Sequence, residues 1–362
     1  MKILMICNDM QVNGISTVIL NYVRFLNRDK FQVEIAAGEP INAVYSEELS
    51  SKNIKFYRLP NRKKKTLKYR RFLKKIIKEN NYDLVHVHGN SATMVLELSI
   101  AKKYKVPVRI AHCHNSKCGS ILRHKILSMF FKKSYTAAFA CSSAAGDWIF
   151  GKNNYFVINN GFVVENFKFD CDSRKRYRTE LGLTTNYVIG HIGRFNDQKN
   201  HLYLIDAFEK IVKNCPTARL LLIGNGPDYE KIKAKISESS AKDNIILYGE
   251  TNDACGLLSA MDIFAFPSKY EGLGIALLEA QISGLPCVAS DVVPKDVVLG
   301  DSIKFLPIDE ESISLWVEHL SKWQKDEKSR SEFFDLNQEK INNFAIQRNV
   351  DKLQNIYIEI TN

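Results

Sequence analysis

The sequence predicts an α/β protein built from two doubly wound parallel-sheet domains. Three observations carry this. A chain of 362 residues, 45% hydrophobic and 25% charged, exceeds the size at which one core stops growing. Short β-branched runs alternate with helix-period segments in two separate series, the pattern of a parallel sheet covered on both faces. Between the series lies a polar, charged stretch containing FDCDSRKRYRTE.

The first series starts with KILMIC (2–7), whose five-residue apolar run meets Asn8-Asp9 at once and reads as a buried strand, too short for a signal peptide. QVEIAA (32–37), IKFYRL (54–59), DLVHVH (83–88), VPVRIAHC (106–113), AAFACS (137–142) and YFVIN (155–159) follow. Amphipathic segments near 15–28, 66–80, 91–104, 119–133 and 143–150 separate them. The second series is VIGHIG (188–193), ARLLLIG (218–224), NIILYG (244–249), DIFAFPS (262–268), PCVAS (286–290) and IKFLP (303–307). Helices are expected at 201–213, 228–237 and 274–283, and the pattern is helical from 311 onward. The expected division is a first domain over 1–165, a linker over 166–186 and a second domain over 187–345, with a final helix at 346–362 crossing back to the first. Doubly wound sheets bind ligands outside the carboxyl ends of their strands, so function is expected in an interdomain cleft lined by those loops.

Eight cysteines stand singly with no CxxC pair, which predicts reduced thiols in a cytoplasmic protein and no zinc or redox site. No apolar run reaches the ~18 residues of a membrane span. The formal charge is +11, and residues 61–80 hold ten basic side chains against one acid, Glu79. Tyr69, Phe72, Leu73, Ile76 and Ile77 recur there at helical spacing, predicting a helix with one apolar stripe and one cationic face. That density predicts an anionic partner, with peripheral binding to a membrane surface as the expectation. No aromatic platform or zinc-finger motif accompanies the basic run, so nucleic acid is not expected.

Two segments carry the chemistry. In PSKYEGLGIALLEA (267–280) a strand ends at Pro267, a glycine-rich loop holds Glu271, and a helix opens near Gly274 with Glu279 in its second turn. Free N–H groups at such a helix start suit a phosphate, and carboxylates on either side can hold hydroxyls of a polyol. In GRFNDQKN (193–200), Arg194 and Lys199 can neutralise a departing diphosphate without a metal. Taken alone, each segment also reads as an ordinary turn with solvated charges.

With these residues in view, the chain resembles the retaining glycosyltransferases of family 4, whose GT-B architecture pairs two Rossmann-like domains. The resemblance covers nearly the whole chain. Its most specific element is the E-x7-E loop with its surroundings, PSKYEGLGIALLEAQISGLPCVASD, supported by GRFNDQKN, LLIGNGPDYEKI and MDIFAFPS. VNGISTVILNYVRFLNRDKFQVEIAAG and RIAHCHNS resemble the branch that builds bacterial capsules and exopolysaccharides.

The resemblance implies roles residue by residue. Glu271 would bind donor-sugar hydroxyls, and Gly272, Leu273, Gly274 and Ile275 would meet sugar and diphosphate through their backbone. Glu279 would hold the ribose, and Arg194 and Lys199 the diphosphate. Asn225, Gly226 and Pro227, with Leu247 to Glu250 and so Tyr248 and Gly249, would shape the base pocket. Gly14 would approach the phosphates; relatives carry two glycines where this chain has Asn13-Gly14, so only Gly14 transfers. A histidine after the fifth strand, His114 with His112 as the alternative, would reach donor sugar and acceptor. Glu271, His114, Arg194 and Lys199 form the expected catalytic set, with no metal and no cofactor beyond the nucleotide-sugar co-substrate, a UDP-sugar by family frequency. The acceptor would be a saccharide or polyprenyl-linked saccharide.

Other readings of the residues fit less well. CNDMQVNG after the first strand lacks the G-x-G-x-x-G of a nicotinamide enzyme. A glycoside hydrolase would need two carboxylates across a scissile bond, and Glu271 and Glu279 qualify only by type. His86 and His88 share a strand face and predict packing or acceptor lining. Cys113, beside His112 and His114, points to the opposite face by strand alternation, which argues against zinc there. Asp170-Cys171-Asp172 has metal-binding spacing but lies in the polar stretch and reads as incidental.

Overall fold

The computed structural model describes residues 1–11, 14–151, 153–322 and 326–361. Its contacts divide the chain into two units, Met1–Phe162 with Asn343–Asn362, and Val163–Asn342.

In chain order the first unit contains β1 (Lys2–Cys7), α1 (Gly14–Phe25), β2 (Gln32–Gly38), α2 (Ala43–Ser51), β3 (Phe56–Leu59), α3 (Thr66–Asn80) and β4 (Leu84–Gly89). There follow α4 (Val95–Lys103), β5 (Val108–Cys113), α5 (Ile121–Lys132), β6 (Ala137–Ala140), α6 (Ser143–Phe150) and β7 (Phe156–Val157). The second unit contains α7 (Cys171–Glu180), β8 (Tyr187–Ile192), α8 (His201–Asn214), β9 (Ala218–Ile223), α9 (Tyr229–Glu238), β10 (Ile245–Gly249) and α10 (Ala254–Ala260). It continues through β11 (Ile263–Phe266), α11 (Ile275–Ile282), β12 (Cys287–Ser290), β13 (Ile303–Leu306), α12 (Ile313–Lys322), α13 (Glu327–Leu336) and α14 (Gln338–Ile341). The last helix, α15 (Ile346–Thr361), belongs to the first unit.

Both sheets are parallel, in the orders β3-β2-β1-β4-β5-β6-β7 and β10-β9-β8-β11-β12-β13. The strand order reverses beside β1 and β4 in the first and beside β8 and β11 in the second. These switch points are where doubly wound sheets leave a crevice at their carboxyl ends. Burial on both faces explains why β1, β9 and β11 are nearly continuous apolar runs. The core of the second unit gathers Ile189, Phe195, Leu204, Phe208, Leu220, Ile263 and Trp316.

Three local features depart from the sequence reading. α2 had no counterpart there, because only Ser46 and Leu49 of its nine residues are buried and no apolar stripe announces it; its start is fixed by Asn42, whose side chain accepts from Tyr45 N. The supposed linker, 166–186, contains α7 and belongs to the second unit. Its arginines point inward: Arg174 and Arg178 bind Asp262 at 2.6 and 3.1 Å, and Asp262 also accepts from Val188 N. Asp170, half of the apparent metal-binding pair, is the α7 N-cap, accepting from Asp172 N and Ser173 N. A polar composition thus came from buried ion pairs and a cap, which periodicity cannot distinguish from a solvated segment.

Candidate active site

Three loops meet around the second switch point. After β8 the chain runs through Gly193 and Arg194 to Phe195, whose fully buried ring anchors the loop in the core. Phe195 N donates to Asn225 O, and Phe195 O accepts from Asp228 N at 3.0 Å, tying this loop to the one that follows β9. Gly226 makes the approach possible, since a Cβ there would lie 2.3 Å from Phe195 O. A further bond, Gly224 N to Gly249 O, joins the loop after β9 to the end of β10 and so to Tyr248 and Gly249. Asn225 turns its side chain back to accept from Gly226 N, and Pro227 follows directly.

Arg194 is exposed and pairs with no acid among the described residues. Lys199 ends a short 3-10 turn, Asp197–Lys199, where Asn196 accepts from Lys199 N. Its Nζ lies 2.7 Å from Glu271 Oε1, both side chains largely buried at 15% and 8% exposure, and 4.5 Å from the Phe266 ring centroid. Lys269 N to Gln198 O and Gln198 Nε2 to Tyr270 O join the β8 and β11 loops further.

Glu271 leads through Gly272 and Leu273 to Gly274, which takes φ +93° and sits directly before α11 with no side chain capping the helix. That left-handed backbone favours glycine and leaves the start of α11, at Ile275, open for an anion. One turn further on, Glu279 is only partly exposed. Burial raises its carboxyl pKa to about 7, with the nearby Lys199 charge acting in the opposite direction.

The first switch point is built differently. Gly14 opens α1 and is exposed, with open space where a Cβ would point; Asn13 lies outside the described residues. Across β4 and β5 four imidazoles form a buried ladder. Neighbouring rings, His86 with His88 on β4 and His112 of β5 with His114 just beyond it, stand 4.1 Å apart. Between strands, His86 Nε2 lies 3.1 Å from His112 Nδ1, and His88 Nδ1 lies 2.9 Å from His114 Nε2. Tyr357 of α15 closes one end, its hydroxyl 2.6 Å from His86 Nδ1. Burial lowers all four pKa values, His114 to about 4, so the ladder is neutral at ordinary pH. At 9% exposure His114 is the member nearest the surface, whereas His112 is fully enclosed.

Among the described residues, His86, His88 and His112 are the group able to gather around a metal, their ligand nitrogens lying within 4.8 Å of one another. His86 has both nitrogens engaged already, by Tyr357 and His112. Cys113 takes no part; its thiol donates to Asn115 O, and burial raises its pKa to about 12.

The comparisons with known proteins agree across both units. Residues 173–339 match the family described as glycosyl transferases group 1, and residues 12–165 match glycosyltransferase family 4. The chain is a glycosyltransferase. EpsF of Bacillus subtilis, named as a glycosyltransferase, is 27% identical to this transferase over 98% of the chain and 96% of its own length. An Escherichia coli UDP-Gal:α-D-GlcNAc-diphosphoundecaprenol α-1,3-galactosyltransferase is 27% identical over 80% and 78%. Among solved structures, Anabaena HepE in complex with UDP and glucose superposes with a TM-score of 0.82 at 18% identity, covering 99% of both chains, which establishes the GT-B fold.

Within the second unit the structure joins residues that sequence reasoning had treated separately. Lys199 and Glu271 are one ion pair, and Lys199 also influences Glu279. Sequence reasoning missed this transferase's His191, buried with Nδ1 2.8 Å from Ala265 O. Burial lowers the His191 pKa to about 4, with the Ala265 carbonyl opposing and the Lys199 charge adding to the shift. Its only sequence signal was a polar residue inside the apolar run VIGHIG.

Proposed function

We propose that the transferase moves a hexose-type sugar, with retention of anomeric configuration, from a UDP-sugar to a saccharide or polyprenyl-linked saccharide acceptor. The reaction would serve cell-surface polysaccharide assembly, at the cytoplasmic face of a membrane. The observation that carries this reading is the Lys199–Glu271 pair at 2.7 Å, placed where the loops after β8 and β11 flank the second switch point. A cation able to bind diphosphate oxygens and a carboxylate able to accept from sugar hydroxyls are thereby set side by side. The relatives support the donor and acceptor classes: the Escherichia coli enzyme is named for UDP-galactose and a diphosphoundecaprenol-linked sugar, and HepE was solved with UDP and glucose.

In this reading Glu279 accepts from the ribose hydroxyls, while Asn225, Gly226, Pro227, Tyr248 and Gly249 border the base. Glu271 and the backbone from Gly272 to Ile275 hold the sugar. The acceptor hydroxyl attacks the anomeric carbon as its bond to the diphosphate oxygen breaks, and the acceptor proton passes to the departing phosphate. Arg194, Lys199 and the α11 N-terminus stabilise negative charge as it develops on the diphosphate, an interaction strongest in the transition state. These groups suffice for a metal-independent reaction.

Residues 61–80 supply an anionic-membrane contact in the same reading. On α3, Tyr69, Leu73, Ile76 and Ile77 face inward and Lys68, Arg70, Arg71, Lys75 and Lys78 are exposed, as are Lys63, Lys64 and Lys65 ahead of the helix. Arg62 is held against the buried Glu97 at 2.8 Å. Calorimetric titration of the purified protein with UDP, GDP, ADP and NAD in the presence of EDTA tests the donor reading. UDP binding that is lost in Glu279→Ala supports it; binding of NAD alone overturns it.

A further inference from the structure

α5 carries its apolar face outward. Of its twelve residues only Phe131 is buried. Leu122, Ile126, Met129 and Phe130 recur at i, i+4, i+7 and i+8, which places them on one face of the helix. All four are exposed, at 72%, 60%, 68% and 61%. Exposed Arg123, Lys125, Lys132 and Lys133 border this ridge. From Leu98 to Gly146 the chain contains no Asp or Glu. α4 packs against both α5 and the cationic α3, so the ridge and the basic helix belong to one row of helices. On α3 itself Leu67 and Phe72 are also exposed.

A contiguous apolar ridge of this kind marks an interaction surface, and its charge selects the occupant. A second copy of the chain would bring the same cations against these, at a repulsive cost. An acidic, apolar partner surface satisfies both parts of the helix, and an anionic bilayer presents phosphates at the depth of the lysines and acyl chains at the depth of the ridge.

We propose that α5 is an in-plane membrane anchor. Leu122, Ile126, Met129 and Phe130 enter the boundary between headgroups and acyl chains of an anionic leaflet, and Arg123, Lys125, Lys132 and Lys133 bind its phosphates. α3 attracts the same surface through charge alone. The inference deepens the reading of a lipid-linked acceptor, because it holds the first unit at the surface where such an acceptor resides. It requires no donor, so it can be tested apart from that reading.

The experiment is sedimentation of the full chain with vesicles of phosphatidylcholine alone or mixed with phosphatidylglycerol. Wild type is expected to bind the mixed vesicles and to retain part of that binding at about 0.5 M salt, where screening leaves mainly the apolar contribution. The triple variant Leu122→Ser, Ile126→Ser, Phe130→Ser should lose at least about tenfold in partitioning and all of the salt-resistant part. Lys68→Gln with Lys75→Gln should lose only salt-sensitive binding. In Phe130→Trp, tryptophan emission should shift to the blue when mixed vesicles are added. Unchanged UDP affinity in the triple variant would show its fold intact. Three results each overturn the proposal: wild type that ignores mixed vesicles, a triple variant that binds them as wild type does, or a wild-type dimer that the triple variant converts to monomer.

Discussion

Lys199 Nζ lies 2.7 Å from Glu271 Oε1, although the two residues sit on loops that leave different strands. Each satisfies the charge of the other in a largely buried setting, where an uncompensated ion is costly. In the proposed reading, a diphosphate at Lys199 would compete with Glu271 and leave the displaced carboxylate to accept from sugar hydroxyls.

This competition separates binding from turnover. Glu271→Gln should leave UDP affinity unchanged or tighter, because Lys199 loses its internal partner, while kcat falls about a hundredfold or more through loss of the sugar contact. Calorimetry and steady-state kinetics on the same preparation check both; a clear weakening of UDP would remove the competition from the account.

Arg194 is exposed and unpaired among the described residues, so its charge is uncompensated before ligand arrives. Arg194→Ala and Lys199→Ala should each reduce turnover by roughly two orders of magnitude. Wild-type turnover in either purified variant would remove that residue from the diphosphate site.

Glu279 introduces a pH dependence. Its pKa is raised to about 7 by burial, so the acid form dominates below that value, whereas holding ribose hydroxyls requires the carboxylate as acceptor. UDP affinity should rise between pH 5.5 and 7.5 and then level off, with a proton released on binding, detected calorimetrically in buffers of different ionisation enthalpy. The sign for stability is the reverse. A folded pKa above the unfolded value of about 4.3 means that the stabilising contribution is complete at low pH and disappears as pH rises through 7. Glu279→Gln should abolish both trends, and a flat UDP affinity across this range in wild type would contradict the assignment.

Gly226 holds two loops in contact. A methyl group there would lie 2.3 Å from Phe195 O, backbone against backbone, so Gly226→Ala must move the Arg194 loop. The variant should fold, with an unchanged circular dichroism spectrum, and lose UDP affinity by at least about tenfold, the effect of about 1.4 kcal/mol. Undiminished affinity would mean that this loop does not touch the nucleotide.

Tyr357→Phe tests the ladder's closure. It leaves His86 Nδ1 buried without its partner, at a cost of about 1 to 3 kcal/mol. Hydrogen exchange should show faster opening of β4 and β5, with UDP affinity unaltered. Unchanged protection in those strands would show that the Tyr357 bond contributes nothing there.

By itself the sequence determined which segments form strands along the chain, the two series of βα alternation and the two charged loops that follow β8 and β11. These are local signals: apolar runs buried on both faces, glycines at tight turns, and ionisable residues directly after strand ends. The reading of 166–186 as a linker failed for the same reason, since Arg174 and Arg178 look solvent-bound until Asp262, more than eighty residues away, is brought to them. Only the tertiary structure decided that Lys199 meets Glu271, that four histidines from two strands form one ladder, and that α5 turns Leu122 and Met129 outward. Each of these depends on strand order and packing. Periodicity identifies a helix with apolar residues on several faces, but which face is covered is settled by the neighbours that the fold places against it.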